Sequence, residues 1–87
     1  MKLIRNSRLR YQKDKSDKVY EVDLVEIASG EPSRYLVNFR YGRKGSTLRE
    51  GTKTRDPVAL EQAERLFDSV VVSKVNKGYQ DQNALSS

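Results

Sequence analysis

One run of this chain carries most of its usable chemistry: Arg40, Tyr41, Gly42, Arg43 and Lys44 are consecutive, and Arg49 and Lys53 follow shortly after. Guanidinium and ammonium groups hold anions, a phenol ring stacks on planar groups, and a glycine lets another backbone come close. Such a set suits holding a polyanion better than breaking a bond. The chain has no His, no Cys and no Trp. That composition removes Ser-His and Cys-His nucleophiles, histidine acids and bases, disulfides and zinc sites of the Cys/His kind.

The remaining candidates for catalysis or ion binding have better structural explanations. Glu61, Glu64 and Asp68 are spaced as neighbours on a helix surface. Acids early in a helix are what its dipole favours, and no apolar neighbours in sequence raise a carboxyl pKa for acid catalysis. Asp14-Lys15-Ser16-Asp17 lacks the glycine and the distal glutamate of a calcium loop. Gly45, Gly51, Thr52, Lys53 and Thr54 look like a phosphate-binding P-loop only at a glance. Five residues separate the glycines, Thr52 intervenes before the lysine, and the helix signal comes later. We therefore expect no enzyme: no catalytic residue, metal, cofactor or small-molecule substrate.

With 87 residues there is room for one domain with a thin core, and 36% hydrophobic content must be gathered into a single cluster. The formal charge of +5 is unevenly placed: residues 1–20 sum to +5, 21–33 to −4, 34–55 to +6 and 56–87 to −2. The segment 34–55 opposes seven cations to Glu50 alone, which points to an anionic partner. The purely apolar run Val70-Val71-Val72 is far too short to span a bilayer, and Met1-Lys2-Leu3-Ile4 leads into Arg5, Arg8 and Arg10 rather than a signal-peptide core. A cytoplasmic protein without membrane contact is expected.

These cations must be positioned by strands and one helix. Residues 8–13 alternate weakly, with Leu9 and Tyr11 on one face, before the polar turn cluster 14–17. Residues 18–27 alternate clearly: Tyr20, Val22 and Leu24 share a face with Lys18, and Glu21 and Asp23 take the other. After a Gly/Pro reversal over residues 28–33, Tyr35, Val37, Phe39 and Tyr41 fall opposite Leu36, Asn38 and Arg40. Gly42 and Gly45 break this strand, and residues 46–54 return as a short, basic fourth strand.

Asp56-Pro57 predicts a helix start, since the carboxylate accepts orphan N–H groups and proline loses no hydrogen bond in the first turn. Leu60, Ala63, Phe67, Val70 or Val71, and Val75 recur at helical spacing. Lys74 and Lys77 suit the last turn, Gly78 a left-handed cap, and Tyr79 a fold-back onto the helix end. The expectation is an α+β domain: a small antiparallel sheet of about four strands with one C-terminal helix on one face. It spans residues 8–79, with 80–87 as a flexible polar tail.

Tyr35-Leu36-Val37-Asn38-Phe39-Arg40-Tyr41-Gly42-Arg43-Lys44-Gly45, the Gly51-Thr52-Lys53-Thr54 stretch and a helix ending in Lys77-Gly78-Tyr79 together resemble the WGR domain family. The family is named for a Trp-Gly-Arg tripeptide after a strand; here the tripeptide is Tyr41-Gly42-Arg43. The resemblance implies a non-catalytic module, an antiparallel sheet with a packed helix, of the kind found in poly(ADP-ribose) polymerases and in free-standing or bacterial proteins. In the polymerases it binds DNA ends, the tripeptide's aromatic stacking on the terminal nucleotide and its Arg docking nucleic acid or neighbouring domains. Those roles would fall to Tyr41 and Arg43. A chain of this length beginning at Met1 is expected to be the module alone.

Read from the residues, Arg40, Arg43 and Lys44 flank the Gly42 corner, and Arg49 and Lys53 extend the positive stripe along the returning strand. Such a surface holds phosphates rather than reading bases. Tyr41 has two readings: alternation puts it on the face of Val37 and Phe39 as a buried strand-end aromatic, while the glycine corner can turn it outward as a stacking platform. Two functions follow. The first is sequence-tolerant binding of DNA, or of RNA, through Arg40, Tyr41, Gly42, Arg43, Lys44, Arg49 and Lys53. The second is a protein-protein adaptor whose basic stripe docks an acidic partner.

Overall fold

Alternation in the strands decides which face of the sheet is dry. The computed structural model describes residues 2–28 and 34–82. Among them, β1 (Lys2–Lys13), β2 (Ser16–Ala28), β3 (Arg34–Arg43), β4 (Arg49–Thr52) and β5 (Gln80–Asp81) form one antiparallel sheet in the order β4-β3-β2-β1-β5. Register sets Tyr20 against Tyr41, Val22 against Phe39 and Leu24 against Val37. β1 continues the row with Leu9 beside Tyr20 and Ser7 beside Val22. The helix α1 (Leu60–Asn76) covers this face with Ala63, Phe67 and Val70. Leu9, Val22, Leu24 and Val37 are wholly buried beneath it, each worth about 1.5–3 kcal/mol relative to exposure. The domain is α+β, an antiparallel sheet with one C-terminal helix packed on it.

Three elements differ from expectation. β1 begins at Lys2 rather than near residue 8, because it pairs with β2 along its whole length through a register shift between Leu3 and Arg5. The helix starts at Leu60, with Ala59 as a cap that makes no side-chain bond. Val58 is the reason: it exchanges two 2.9 Å backbone bonds with Tyr35, so the chain stays extended past Asp56-Pro57. Gln80 and Asp81, placed in the polar tail by their composition, pair instead with Arg10 and Leu9 as β5. Residues 83–87, and residues 29–33 of the expected reversal, lie outside the described residues.

The helix ends as its residues require. Gly78 takes φ 109°, its N–H donates to the Val75 carbonyl, and the Tyr79 N–H donates to the Lys74 carbonyl, both at 3.0 Å. This is the Schellman arrangement, and it turns Tyr79 back onto the core. Leu60 and Val75, read as core positions from their spacing, are exposed. The buried stripe is therefore narrower than the apolar pattern.

The Gly-Thr-Lys-Thr segment works as a clamp. Val37 N–H donates to Thr54 Oγ1 at 3.2 Å, its carbonyl accepts from Lys53 N–H at 2.8 Å and lies 3.1 Å from Thr52 Oγ1, and the two threonine hydroxyls are 3.0 Å apart. The hydroxyls that a P-loop would offer a phosphate are thus spent on holding residues 52–54 against β3. Lys53 is left projecting from a fixed backbone.

Candidate nucleic-acid interface

Where the cover of α1 thins along β3, aromatic rings take over the helix-side face. Tyr20 stacks on Phe39 at 5.6 Å between centroids and 7° between planes, and on Tyr41 at 6.0 Å and 23°. Phe39 and Tyr41 are themselves 5.9 Å apart. Tyr79, delivered by the Gly78 turn, meets Tyr11 at 5.5 Å and Tyr20 at 6.5 Å. Three ammonium groups lie over these rings: Lys53 at 5.1 Å from Phe39, Lys74 at 4.5 Å from Tyr20, and Lys18 at 5.9 Å from Tyr11. Cation-π attraction holds each chain down without neutralising it.

Tyr41 meets both of its readings halfway. It lies on the face that alternation requires, in line with Val37 and Phe39, yet it is 39% exposed. Arg43 follows two residues on and Arg49 sits across from Tyr41 on β4, so both belong to the same face. Among the described residues, no carboxylate lies within 4.0 Å of Arg43, Arg49 or Lys53. Gly42 takes φ 156°, a backbone conformation that L side chains rarely adopt, and a Cβ there would also stand 3.2 Å from Leu48 Cδ2, where the returning chain crosses.

The other two cations of the expected set are on the opposite face. Arg40 pairs with Glu21 at 2.9 Å and with Asp23 at 3.1 Å. Asn6 donates to the same two carboxylates, and Arg10 forms a two-pronged pair with Asp17 at 3.0 and 2.9 Å. Lys44 lines a cleft on that face with Arg8, Arg10 and Glu21, and its N–H donates to the Asp17 carbonyl at 2.9 Å. The basic run of the sequence is thus divided by the sheet. Tyr41, Arg43, Arg49 and Lys53 come together, whereas Arg40 belongs to an internal charge network and Lys44 stands beside it.

Titration follows this division. Burial would push Glu21 up, but hydrogen bonds from Arg40 and Asn6, with the charges of Arg40 and Arg8, outweigh it and hold Glu21 below its ordinary value. The hydrogen bond from Arg10 likewise holds Asp17 down. A folded carboxyl value below the unfolded one means the unfolded chain binds the proton more tightly. Stability is then full above the unfolded carboxyl range, near about 4, and is lost as pH falls through the folded values. The urea midpoint is expected to fall between pH 7 and pH 3, and to fall less in Arg40→Gln, where Glu21 has lost its main partner. An equal fall in both proteins would remove Glu21 from the account.

On the helix side, burial pushes the Tyr20 hydroxyl up to about 12, helped by Tyr41 and Tyr79, so the ring stays neutral. Burial, then the charges of Lys77 and Lys53, hold Lys74 below the usual lysine value. From sequence spacing Lys18 is only a strand residue and Lys74 only a last-turn cation. Their positions over the rings depend on strand register and on how the helix crosses the sheet, which no local pattern reports.

The model of the WGR domain family matches residues 6–85. No curated protein and no solved structure matches the chain. Among the described residues, no helix is long and apolar enough to cross a membrane.

Proposed function

The chain belongs to the WGR domain family, and from that premise we propose that it binds DNA through the helix-side face, tolerating any sequence. A WGR domain is by itself a non-catalytic module generally implicated in nucleic-acid binding. In this reading Arg43, Arg49 and Lys53 hold backbone phosphates, Tyr41 offers a stacking surface, and Gly42 keeps the corner open for close approach. Arg40 has a structural role on the other face, and Lys44 adds positive potential at the rim.

The observation that carries the proposal is a contrast between faces. One side of the sheet pairs its arginines with its own carboxylates. On the other, Arg5 pairs with Asp68 of α1 at 3.1 Å, but around the part-exposed Tyr41 ring Arg43, Arg49 and Lys53 have no carboxylate partner among the described residues. Self-paired charge gains little from a polyanion, because its carboxylates repel the phosphates that its arginines attract. Unpaired charge gains the full counterion-release term.

Neutralising about 3 to 5 phosphates gives a log-log salt slope of about −3 to −4.5 on duplex DNA. Fluorescence anisotropy with blunt, recessed and single-stranded DNA, and with an RNA duplex, at two salt concentrations measures it. Affinity that is absent at low salt, or indifferent to salt, would overturn the proposal and leave the acidic protein partner as the reading of these cations.

A further inference from the structure

We propose that Lys53, Lys74 and Lys77, with the hydroxyls of Ser69 and Ser73, form a second phosphate pocket beside the ring row, holding a backbone phosphate of the strand that lies on Tyr41. The inference rests on the nucleic-acid reading above and adds to it a site on the helix. These residues, with Leu66 and Val70, line a cleft of about 250 Å³ between α1 and the segment that follows β4. Ser69, Ser73 and Lys77 are four residues apart and so share one helix face, with Lys74 next to them. Lys53 arrives from the other wall, its backbone held by the threonine clamp.

Chemistry selects the ligand class. The polar lining consists of three ammonium groups and two hydroxyls, with no carboxylate among the lining residues. Such a cleft offers donors in excess and excludes a cation. Lysines at a helix C-terminus have an ordinary cause, attraction to the last carbonyls. That cause accounts for Lys74 and Lys77 but not for Lys53, which approaches from a different element and lowers the proton affinity of Lys74 by its charge. Three like charges around one cleft are a standing repulsion that an anion relieves. The ammonium groups also adjoin the first site: Lys74 lies over Tyr20 and Lys53 over Phe39, and both rings stack on Tyr41.

The test uses the full chain, isotope-labelled, titrated first with inorganic phosphate and with chloride at equal ionic strength, then with duplex DNA. Phosphate is expected to shift the amides of Ser69, Ser73, Lys74, Lys77 and Lys53 where chloride does not, and the shifts are lost in Lys74→Gln/Lys77→Gln. In that variant the DNA salt slope becomes shallower by about 1, and low-salt affinity falls roughly tenfold. Unshifted amides with an unchanged slope overturn the pocket while leaving DNA binding at Tyr41 and Arg43 intact. A variant that loses thermal stability but keeps its slope makes Lys74 a prop for Tyr20, which also overturns the pocket. If the wild type binds no DNA yet shows the phosphate-specific shifts, the pocket stands as an anion site and the DNA reading falls.

Discussion

Arg43→Glu combined with Lys53→Glu is expected to weaken duplex DNA binding about 100-fold at low salt and to weaken it alike for every sequence. Each reversal removes one phosphate contact and adds a repulsion, which together cost on the order of 1–2 kcal/mol per site where water is partly excluded. Two such sites on one face reinforce each other. Neither residue has a carboxylate partner among the described residues, so reversal strands no buried charge and the fold should persist.

Arg40→Gln gives the contrast. Arg40 is only three residues from Arg43 in sequence, yet its guanidinium is held by Glu21 and Asp23 on the far side of the sheet. Removing it should destabilise the fold, because two half-buried carboxylates lose their partner. Affinity per folded molecule should stay within about twofold, with the salt slope unchanged. Anisotropy titrations of the two variants separate the faces. A large loss in Arg40→Gln with little in the charge reversals would put the binding surface on the ion-paired side.

The second large effect is on stability and concerns Gly51. It lies in β4 opposite Phe39, and a Cβ added there would come within 2.5 Å of Phe39 Cζ. The ring has little room to yield. Tyr20 stacks against it, Tyr41 flanks it and the Lys53 ammonium lies over it. Gly51→Val therefore expels the ring or strains the edge strand, at about 1–3 kcal/mol for overpacking plus about 0.5–1.5 kcal/mol for each lost aromatic pair. The higher strand propensity of valine returns at most about 1 kcal/mol.

The net expectation is a loss of about 2–3 kcal/mol, which lowers the midpoint of a domain this size by more than about 10 °C. Calorimetry or urea unfolding measures it. Phe39→Ala in the same chain should cost less than the sum of the two single changes, since the collision is then gone. A rise in midpoint for Gly51→Val would mean that the ring leaves freely and that Phe39 does not organise Tyr41 and Lys53.

How much of this was legible in the sequence depends on the range of the interactions. The faces of β2 and β3 could be read from strict alternation of Tyr20, Val22 and Leu24 and of Tyr35, Val37 and Phe39, because side-chain direction in a strand is a local property. The Gly78 cap and the return of Tyr79 were equally local. The helix starts later than the Asp56-Pro57 capping signal indicates because a tertiary bridge from Val58 to Tyr35 overrides it. β5 carries no pattern, since two residues cannot alternate.

At the site, the cations and the ring were legible as residue types but not as a surface. Arg40 looked equivalent to Arg43 because charge runs carry no face; its partners, Glu21 and Asp23, lie nearly twenty residues away and meet it only through the register of β2 with β3. Spacing makes Lys74 a last-turn cation, and only the helix crossing sets it over Tyr20. The exposure of Tyr41 likewise depends on where the cover of α1 runs out along β3.

Amide shift mapping of the isotope-labelled chain with a short blunt duplex tests the division of the two faces most directly. The account predicts perturbations gathered at Tyr41, Gly42 and Arg43, along residues 49–53, and at the helix end around Lys74 and Tyr79, all diminishing with added salt. Perturbations centred instead on Asn6, Arg10, Glu21, Asp23 and Arg40 would contradict it.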